Sequence, residues 1–436
     1  MRGSRWYVVG LLATLYILSA ADRLILSLLV EPLKAELLLA DTQIALLIGP
    51  AFAMLYAVLG LPVAWLADRY SRKWIAVIGV LLWSACTIAS SLATNFNELF
   101  VLRMGLALGE AVLSPVAVSL ISDLFERDRR SAPTATYVSS GVIGFIVAFA
   151  AGGALIHLLE IGALAGVPVI GSMSVWRATL VLVGAPGIAL GILMALTIRE
   201  PARGRLDAAE GHTPPAGSFG AFRSRKDGIW FYVAFFSGNS ICQTLTYGCV
   251  AWAPTYLIRG YGVSTADAGY LFSVGLTVAA VLTFAIPATA QWLAKSWRAD
   301  ALLIILLAML PLGFAALALG FLQSSLAGAI IATVVGFGIL SSTNGQASIV
   351  VALTAPANLR GQLMAVNLAL GNIVGLSLGS YLVAWAAENY FTGSRALGGG
   401  LIAVALVTMP LAWLCLLASV RPYGRAMRQA LALPVA

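Results

Sequence analysis

The 436-residue sequence predicts an all-α membrane protein with twelve transmembrane helices, and three observations support this fold class. Sixty per cent of the residues are hydrophobic and only 10% are charged, whereas soluble domains usually carry about 25% charged residues. The chain contains apolar runs of the length that a bilayer core about 30 Å thick requires. A long polar stretch near the midpoint divides these runs into two equal groups.

The individual spans follow from runs of about 20 apolar residues. Several contain Pro or Gly, which spanning helices tolerate where neighbouring groups satisfy the freed backbone. The first run is longer than a signal-peptide core, so we expect it to remain as helix 1. The predicted spans cover residues 6–30, 43–66, 74–94, 98–121, 134–158, 176–198, 229–258, 266–293, 300–322, 325–352, 361–388 and 397–420.

The positive charges are distributed unevenly between the connections. The formal net charge is +8, and most Lys and Arg residues fall in alternate connections, as the positive-inside rule expects. This pattern predicts a multi-pass protein of the cell inner membrane with both termini cytoplasmic. A nucleic-acid-binding face needs clustered cations on a soluble body, and the sequence offers neither, so no nucleic-acid partner is expected.

The midpoint polar stretch predicts two pseudo-symmetric six-helix bundles. We expect an N-terminal bundle over residues 1–198, a cytoplasmic linker over residues 199–228 and a C-terminal bundle over residues 229–436. An internal repeat supports this division, because Trp-Leu-Ala ends both helix 2, at residues 65–67, and helix 8, at residues 292–294. Paired bundles of this kind hold their site near the bilayer midplane.

Four ionisable residues of the first half lie inside apolar spans: Asp22, Arg23, Arg103 and Glu110. A charge at bilayer depth is costly and usually marks a transport pathway. Arg103 and Glu110 are seven residues apart and share a helix face. We expect Asp22 and Glu110 to bind the coupling proton and Arg23 or Arg103 to neutralise a substrate anion. A static ion pair that joins helices 1 and 4 is the alternative.

The second half carries neutral, hydrogen-bonding side chains inside its spans. Those predicted to contact substrate are Asn239, Gln243, Tyr247, Asn344 and Asn367. The first three recur at helical spacing on one face of helix 7. Hydrogen bonding between helices would also explain such residues.

The connection between helices 2 and 3, residues 64–73, reads Ala-Trp-Leu-Ala-Asp-Arg-Tyr-Ser-Arg-Lys. Asp68 at the inner end of a helix can pair with cations or cap a neighbouring helix. Together with Arg69, Arg72 and Lys73 it predicts a cytoplasmic gate. A solvated turn is the simpler interpretation.

These ten residues resemble the signature loop of the major facilitator superfamily, with Ala64 and Ser71 where that family usually has Gly. The stretches 103–111, 114–115, 123–125 and 129–131 resemble its Spinster branch, as does the pair at residues 22–23. The resemblance implies the major facilitator fold and secondary active transport by alternating access. For the Spinster branch it implies lysophospholipids or sphingoid phosphates as substrates.

The combined expectation is a proton-coupled, monomeric transporter of an amphipathic anionic, lipid-like substrate, in contact with membrane lipids and without a cofactor. No nucleotide-phosphate loop is present, which indicates a gradient rather than ATP hydrolysis on this chain as the driving force. A proton-coupled transporter of small organic anions or drugs is the alternative function, and a receptor that does not transport also stays open.

An intramembrane hydrolase is a remote alternative. Residues 375–379, Gly-Leu-Ser-Leu-Gly, match the nucleophile pattern of hydrolases but lie within a helix rather than at a strand-to-helix turn. The only two histidines, His157 and His212, suggest no pairing with a nucleophilic serine. We therefore expect no enzyme activity.

Overall fold

The computed structural model describes residues 2–202, 226–296, 301–355 and 359–432, and these residues form helices without any strand. The helices are α1 (Arg2–Leu24), α2 (Val30–Leu37), α3 (Asp41–Ile48), α4 (Pro50–Arg69), α5 (Arg72–Ser90), α6 (Phe96–Ala111), α7 (Leu113–Leu124), α8 (Ser131–Glu160), α9 (Val175–Thr197), α10 (Lys226–Tyr261), α11 (Thr265–Ser296), α12 (Ala301–Leu322), α13 (Leu326–Thr354), α14 (Arg360–Leu370), α15 (Gly379–Tyr390) and α16 (Ala396–Ala432).

The predicted fold class is confirmed. Within the described ranges, ten helical stretches are long and apolar enough to cross a membrane. Helices α3 and α4 cover the second predicted span, and α10 covers the seventh. Within the described residues the twelve predicted spans are therefore largely helical, although four of them, the first, second, fourth and eleventh, are not continuous α-helices.

The interruptions follow from proline and glycine. The second span breaks between α3 and α4 at Gly49, and Pro50 begins α4 at a position where its missing N–H costs nothing. The fourth span breaks at Val112, three residues before Pro115, which has no N–H for the carbonyl of Ala111. The eleventh span contains a π-helical segment, Gly371–Leu378, between α14 and α15.

Helix α1 ends before the first predicted span does. A 3₁₀ turn over Ile25–Ser27 follows it, and α2 begins at Val30. Its early end leaves backbone carbonyls in the last turn of α1 without partners inside the helix. These carbonyls matter for the candidate site.

The chain forms two compact units. Unit 1 comprises Met1–Pro214 with Gly262–Ser273, and unit 2 comprises Pro215–Tyr261 with Val274–Ala436. In unit 1, α1 packs on α8, while α6 packs on α4 and α5. In unit 2, α10 packs on α16 and on the π-helical segment, and α12 packs on α13. The bundle boundaries at residues 199 and 228 stay a prediction, because most of the intervening segment lies outside the described residues.

One end of unit 1 is held together by Glu36 in α2. Its carboxylate accepts hydrogen bonds from Trp176 Nε1, at 2.5 Å, and from Arg177 Nε, at 2.8 Å. Arg177 also donates to the carbonyl of Ser91, so this network joins α2, the start of α9 and the end of α5. Partial burial alone would raise the pKa of Glu36, but the hydrogen bonds from Arg177, Trp176 and Ser174 hold it below its ordinary value.

This network predicts a pH-dependent contribution to stability. A lowered pKa in the folded state stabilises the fold above the pKa of the unfolded chain, about 4.3, and the contribution disappears as the pH falls through the folded value. We expect Glu36→Gln to lower the Tm at pH 7 and to have progressively less effect below about pH 4.

The measurement is thermal unfolding in detergent across this pH range. Glu160→Gln, at the exposed end of α8, is the control and should leave the Tm unchanged at every pH. A constant difference between Glu36→Gln and wild type at all pH values would contradict this role of the carboxylate.

Candidate functional site

The four predicted intramembrane charges of unit 1 come together at the end of α1 and along α6. Asp22 is fully buried, Glu110 is 2% exposed and Arg103 is 3% exposed. Arg23 is the most exposed of the four, with 17% of its side chain accessible. Apolar surroundings require each of these charges to have a partner or to be neutral.

Arg23 and Glu110 form an ion pair. Arg23 Nη2 lies 2.8 Å from Glu110 Oε2, and the hydroxyl of Ser19 donates to the same oxygen at 2.8 Å. The other carboxylate oxygen, Oε1, has no hydrogen-bond partner within the described part of the chain. The carboxylate therefore depends on contacts to a single oxygen.

The guanidinium of Arg23 also lies on aromatic rings of α4. Its Cζ atom is 4.2 Å from the ring centre of Phe52 and 5.6 Å from that of Tyr56. Arg23 Nε has no acceptor in the described ranges. The cation–π contacts keep the cation in place without using its hydrogen-bond donors. One donor of Arg23 is thus left for another acceptor.

Arg103 bonds to backbone carbonyls rather than to a carboxylate. Its Nη1 and Nη2 donate to the carbonyls of Asp22 and Arg23, at 3.2 and 3.0 Å, and its Nε donates to that of Leu47 at 3.3 Å. These carbonyls lie in the last turns of α1 and α3, where intrahelical partners are missing. Arg103 thus donates hydrogen bonds to carbonyls at the ends of two helices, α1 and α3.

Asp22 has a different environment from Glu110. Neither of its carboxylate oxygens has a hydrogen-bond donor among the residues described. The charges of Glu110 and Arg103 act on it, and Thr87 is also adjacent, but the Thr87 hydroxyl donates to the carbonyl of Trp83. An isolated buried carboxylate without donors is far more stable as the neutral acid. The proton-coupling role of Asp22 stays a prediction.

The predicted gate contains one residue with extensive contacts, Arg72. It is 2% exposed and pairs with Asp123 at the end of α7 and with Glu200 beyond α9. It also donates to Ser119 Oγ, at 2.9 Å, and to the carbonyl of Pro201, at 3.0 Å. These bonds join the start of α5 to the ends of α7 and α9.

Glu200 completes this network and was not predicted from the sequence. It accepts hydrogen bonds from the backbone N–H of Arg72, at 2.8 Å, and from the hydroxyl of Ser71. Burial acts to raise the pKa of Glu200, but these bonds and the Arg72 guanidinium hold it below its ordinary value. Its position after the last apolar residue of the sixth span was the available signal.

The other gate residues make fewer contacts. The guanidinium of Arg69 lies 4.1 Å from the ring centre of Trp65, and Lys73 Nζ lies 5.1 Å from that of Trp74. The side chain of Asp68 lies outside the described residues. The gate role of all four residues therefore stays a prediction, with Arg72 as the member whose contacts support it.

The neutral residues of unit 2 are used largely in helix packing. Asn239 Nδ2 donates to Asn367 Oδ1 at 3.0 Å, which links α10 to α14. The amide of Gln243 lies directly on Gly371, where an added Cβ would approach its oxygen to 2.6 Å. Tyr247 lies similarly against Gly375.

Two further residues complete the account of unit 2. The side chain of Asn344 lies outside the described residues. Gln346 on the same helix is fully buried, and neither atom of its amide has a hydrogen-bond partner among the residues described. The hydroxyl of Ser377, the nucleophile considered above, also has no partner there, so no base contacts it.

The comparisons with known proteins agree with this architecture. A model of the Major Facilitator Superfamily matches residues 12–380. The chain is 28% identical over 277 residues to an MFS-type efflux pump of Mycolicibacterium smegmatis, covering 64% of this chain and 60% of that protein. It is 25% identical over 297 residues to a probable L-galactonate transporter of Escherichia coli, covering 65% and 61%.

A third relative is the protein spinster of Drosophila melanogaster, 27% identical over 206 residues, or 47% of this chain and 31% of that protein. The chain thus spans less than two thirds of each of these three relatives. Among solved structures, a bacterial homolog of the human lysosomal transporter Spinster superimposes over the full length of both chains, with a TM-score of 0.81 and 26% identity.

The same homolog in an occupied conformation gives a TM-score of 0.80 at 25% identity, over 99% of both chains. Helical architecture, family match and structural similarity identify a multi-pass transporter rather than an enzyme. From the match over residues 12–380 we conclude that the chain belongs to the Major Facilitator Superfamily.

Proposed function

We propose that this chain is a proton-coupled secondary transporter that works by alternating access and moves an amphipathic anion. The ion pair between Arg23 and Glu110 is the observation that supports this proposal most directly. Protonation of Glu110 removes the charge that holds Arg23, and the released guanidinium can then bind an anionic substrate group. Proton and substrate would in this way bind together.

Asp22 is the second proton site in this proposal. No donor among the described residues reaches its carboxyl group, so in this proposal Asp22 carries a proton while Glu110 pairs with Arg23. Two carboxyl groups in different environments can pass a proton between them as hydration changes. Arg103, with its donors on three carbonyls, is assigned a positioning role rather than a substrate contact.

A lysophospholipid or sphingoid phosphate is the preferred substrate class. The rings of Phe52 and Tyr56 beside Arg23 offer an apolar surface next to a cation, which suits a molecule with an anionic head and an apolar body. The resemblance of residues 22–23 and 103–111 to the Spinster branch implies the same class, and the fold is similar to that of a bacterial Spinster homolog. Asn239, Gln243, Tyr247, Asn344 and Asn367 stay predicted contacts for the polar part of the substrate.

Small organic acids are the alternative substrates. Relatives of this chain include a probable L-galactonate transporter and a probable galactarate/D-glucarate transporter of Bacillus subtilis. A site that holds the Glu110 carboxylate through Arg23 and Ser19 would also hold a substrate carboxylate. Uptake into proteoliposomes of a radiolabelled lysolipid, measured beside a sugar acid, separates the two classes.

We further propose that the protein is a monomer in the cell inner membrane with both termini in the cytoplasm. The distribution of Lys and Arg supports this orientation. The network around Arg72 would then lie on the cytoplasmic face and act as the gate, with Asp68, Arg69 and Lys73 beside it.

The coupling role predicts that Glu110→Gln abolishes one kind of flux and leaves another intact. Accumulation driven by a pH gradient should be lost, because residue 110 can no longer release a proton, while substrate exchange at equal pH should continue. Both fluxes are measured in proteoliposomes. Glu98→Gln, exposed in the first turn of the same helix, is the matched control. Wild-type pH dependence in Glu110→Gln would refute the coupling role.

Asp22→Asn tests the second proton site independently of stability. Because the Asp22 carboxyl makes no hydrogen bond with the described residues, a neutral amide of the same shape should leave the Tm close to that of wild type. Proton-driven flux per folded molecule should nevertheless fall sharply. A large loss of Tm with unchanged flux would instead indicate a structural ion pair.

Arg103→Lys should destabilise the protein rather than weaken substrate binding. A lysine cannot reproduce the planar fork of donors, and each buried carbonyl left unpaired costs about 1–3 kcal/mol. The expected result is a lower Tm with an unchanged substrate Kd in the molecules that stay folded. A selective loss of substrate affinity at wild-type Tm would instead indicate that Arg103 contacts the substrate.

The gate role predicts that Asp123→Asn slows turnover more than it weakens binding. The substitution removes one of the two carboxylates that pair with the buried guanidinium of Arg72. It should cost less than the roughly 3–5 kcal/mol of an uncompensated buried charge, because Glu200 remains, but it destabilises the state in which Arg72 joins α5, α7 and α9. Asp128→Asn, at an exposed neighbouring position, is the control. Equal losses of turnover and affinity in well-folded Asp123→Asn would contradict a gating function.

A further inference from the structure

The connection between α8 and α9, residues 161–174, has an unusual composition. It reads Ile-Gly-Ala-Leu-Ala-Gly-Val-Pro-Val-Ile-Gly-Ser-Met-Ser and contains no charged residue. The nearest charges are Glu160 before it and Arg177 after it. A connection that lies in water normally consists of polar and charged residues, so this composition points to another environment.

The segment is also exposed or partly exposed along its whole length. None of residues 161–174 is buried. Ile161 is 61% exposed, Val167 42% and Val169 67%. Exposed apolar side chains that follow one another within a single connection mark a contact surface.

Most backbone N–H groups of this connection donate within it or to the end of α8. Val169 adopts a positive φ of 71°, and Gly162 one of 72°, and the chain folds back so tightly that Gly171 lies against the carbonyl of Ala165. Backbone N–H groups that donate to carbonyls of the segment or of the end of α8 are those of Ile161, Gly162, Ala163, Ala165, Val167, Ile170, Gly171, Ser172 and Met173.

Such internal bonding is what an apolar phase demands. A surface loop can leave its N–H groups to water, whereas a segment in contact with lipid must pair them within the protein. Pro168 has no N–H to pair. The segment therefore combines apolar side chains with a backbone whose N–H groups are mostly hydrogen-bonded within the protein. A loop in water would need neither feature.

The position of the segment along α8 fits the membrane boundary. The stretch of α8 from Tyr137 to Leu159, which is apolar apart from two serines and His157, spans about 35 Å at 1.5 Å per residue. A bilayer core is about 30 Å thick, so a membrane that begins near Tyr137 ends where the segment begins. Leu158, 43% exposed, continues the apolar surface of α8 onto Ile161.

We propose that residues 161–174 insert into the boundary between head groups and acyl chains of one leaflet, at the end of unit 1 remote from Ser131. The contact is with lipid and is neutral in character, because the segment carries no charge. It therefore depends on apolar area rather than on the charge of the lipid. This inference goes beyond the proposed transport function and does not rest on it.

The test places an environment-sensitive fluorophore at Val169→Cys and, separately, at Ile161→Cys, in the full chain reconstituted into lipid vesicles. Asn97→Cys, exposed in the first turn of α6, is the matched control. Unmodified protein labelled in parallel gives the background from the four native cysteines.

At positions 161 and 169 we expect emission at shorter wavelength than at position 97. Quenching there should be stronger with lipids brominated at shallow acyl carbons than at deep ones, and weak with aqueous iodide. Replacing neutral by anionic lipid, or raising the salt concentration, should leave both signals unchanged.

Iodide quenching at 161 and 169 equal to that at 97 would overturn the proposal, since it would place the segment in water. Short-wavelength emission without bromine quenching, together with cross-linking between labelled chains, would also overturn it in favour of a second copy as the partner. Two reporter positions keep the test decisive if one variant folds poorly.

Discussion

Arg103 holds the two interrupted helices α1 and α3 together, and the geometry of the candidate site depends on this interaction. Its three hydrogen bonds end on carbonyls of Asp22, Arg23 and Leu47. They fix the last turn of α1, which sets where the side chains of Asp22 and Arg23 lie relative to Glu110. A guanidinium suits this task because its donors lie in one plane and stay charged in apolar surroundings.

The two carboxyl groups consequently differ in character although they lie on adjacent helices. Glu110 has a cation and a hydroxyl on one oxygen, whereas neither oxygen of Asp22 receives a hydrogen bond from the described residues, and the nearby Arg103 donates to backbone carbonyls instead. The two carboxyl groups therefore differ in their hydrogen-bond donors and in their neighbouring charges. Because Arg103 bonds to the backbone and not to Asp22, only Glu110 of the two carboxyl groups is paired with an arginine.

Composition, apolar run length and the loop at residues 64–73 were enough to predict the membrane class, the twelve spans and the family. They also selected the four buried charges, because cations and carboxylates are rare inside apolar runs. The position of each charged residue along its predicted span did not reveal which of the four form an ion pair. That choice depends on the helix ends near Leu24 and Ile48, which expose the carbonyls that Arg103 binds. Glu200 was missed because it follows the span instead of interrupting it.

In the proposed resting state the Asp22 carboxyl is protonated and Glu110 is ionised, so the two arginines and one carboxylate give the four buried groups Asp22, Arg23, Arg103 and Glu110 a formal sum of +1. Whether transport changes this sum has an electrical consequence. One bound proton with one monovalent anion leaves the sum unchanged, so the loaded and the empty site would cross the membrane field with equal charge. A membrane potential contributes about 2.3 kcal/mol per elementary charge per 100 mV. A divalent anion with a single proton would therefore move against or along the potential, whereas a monovalent one would respond to the pH gradient alone.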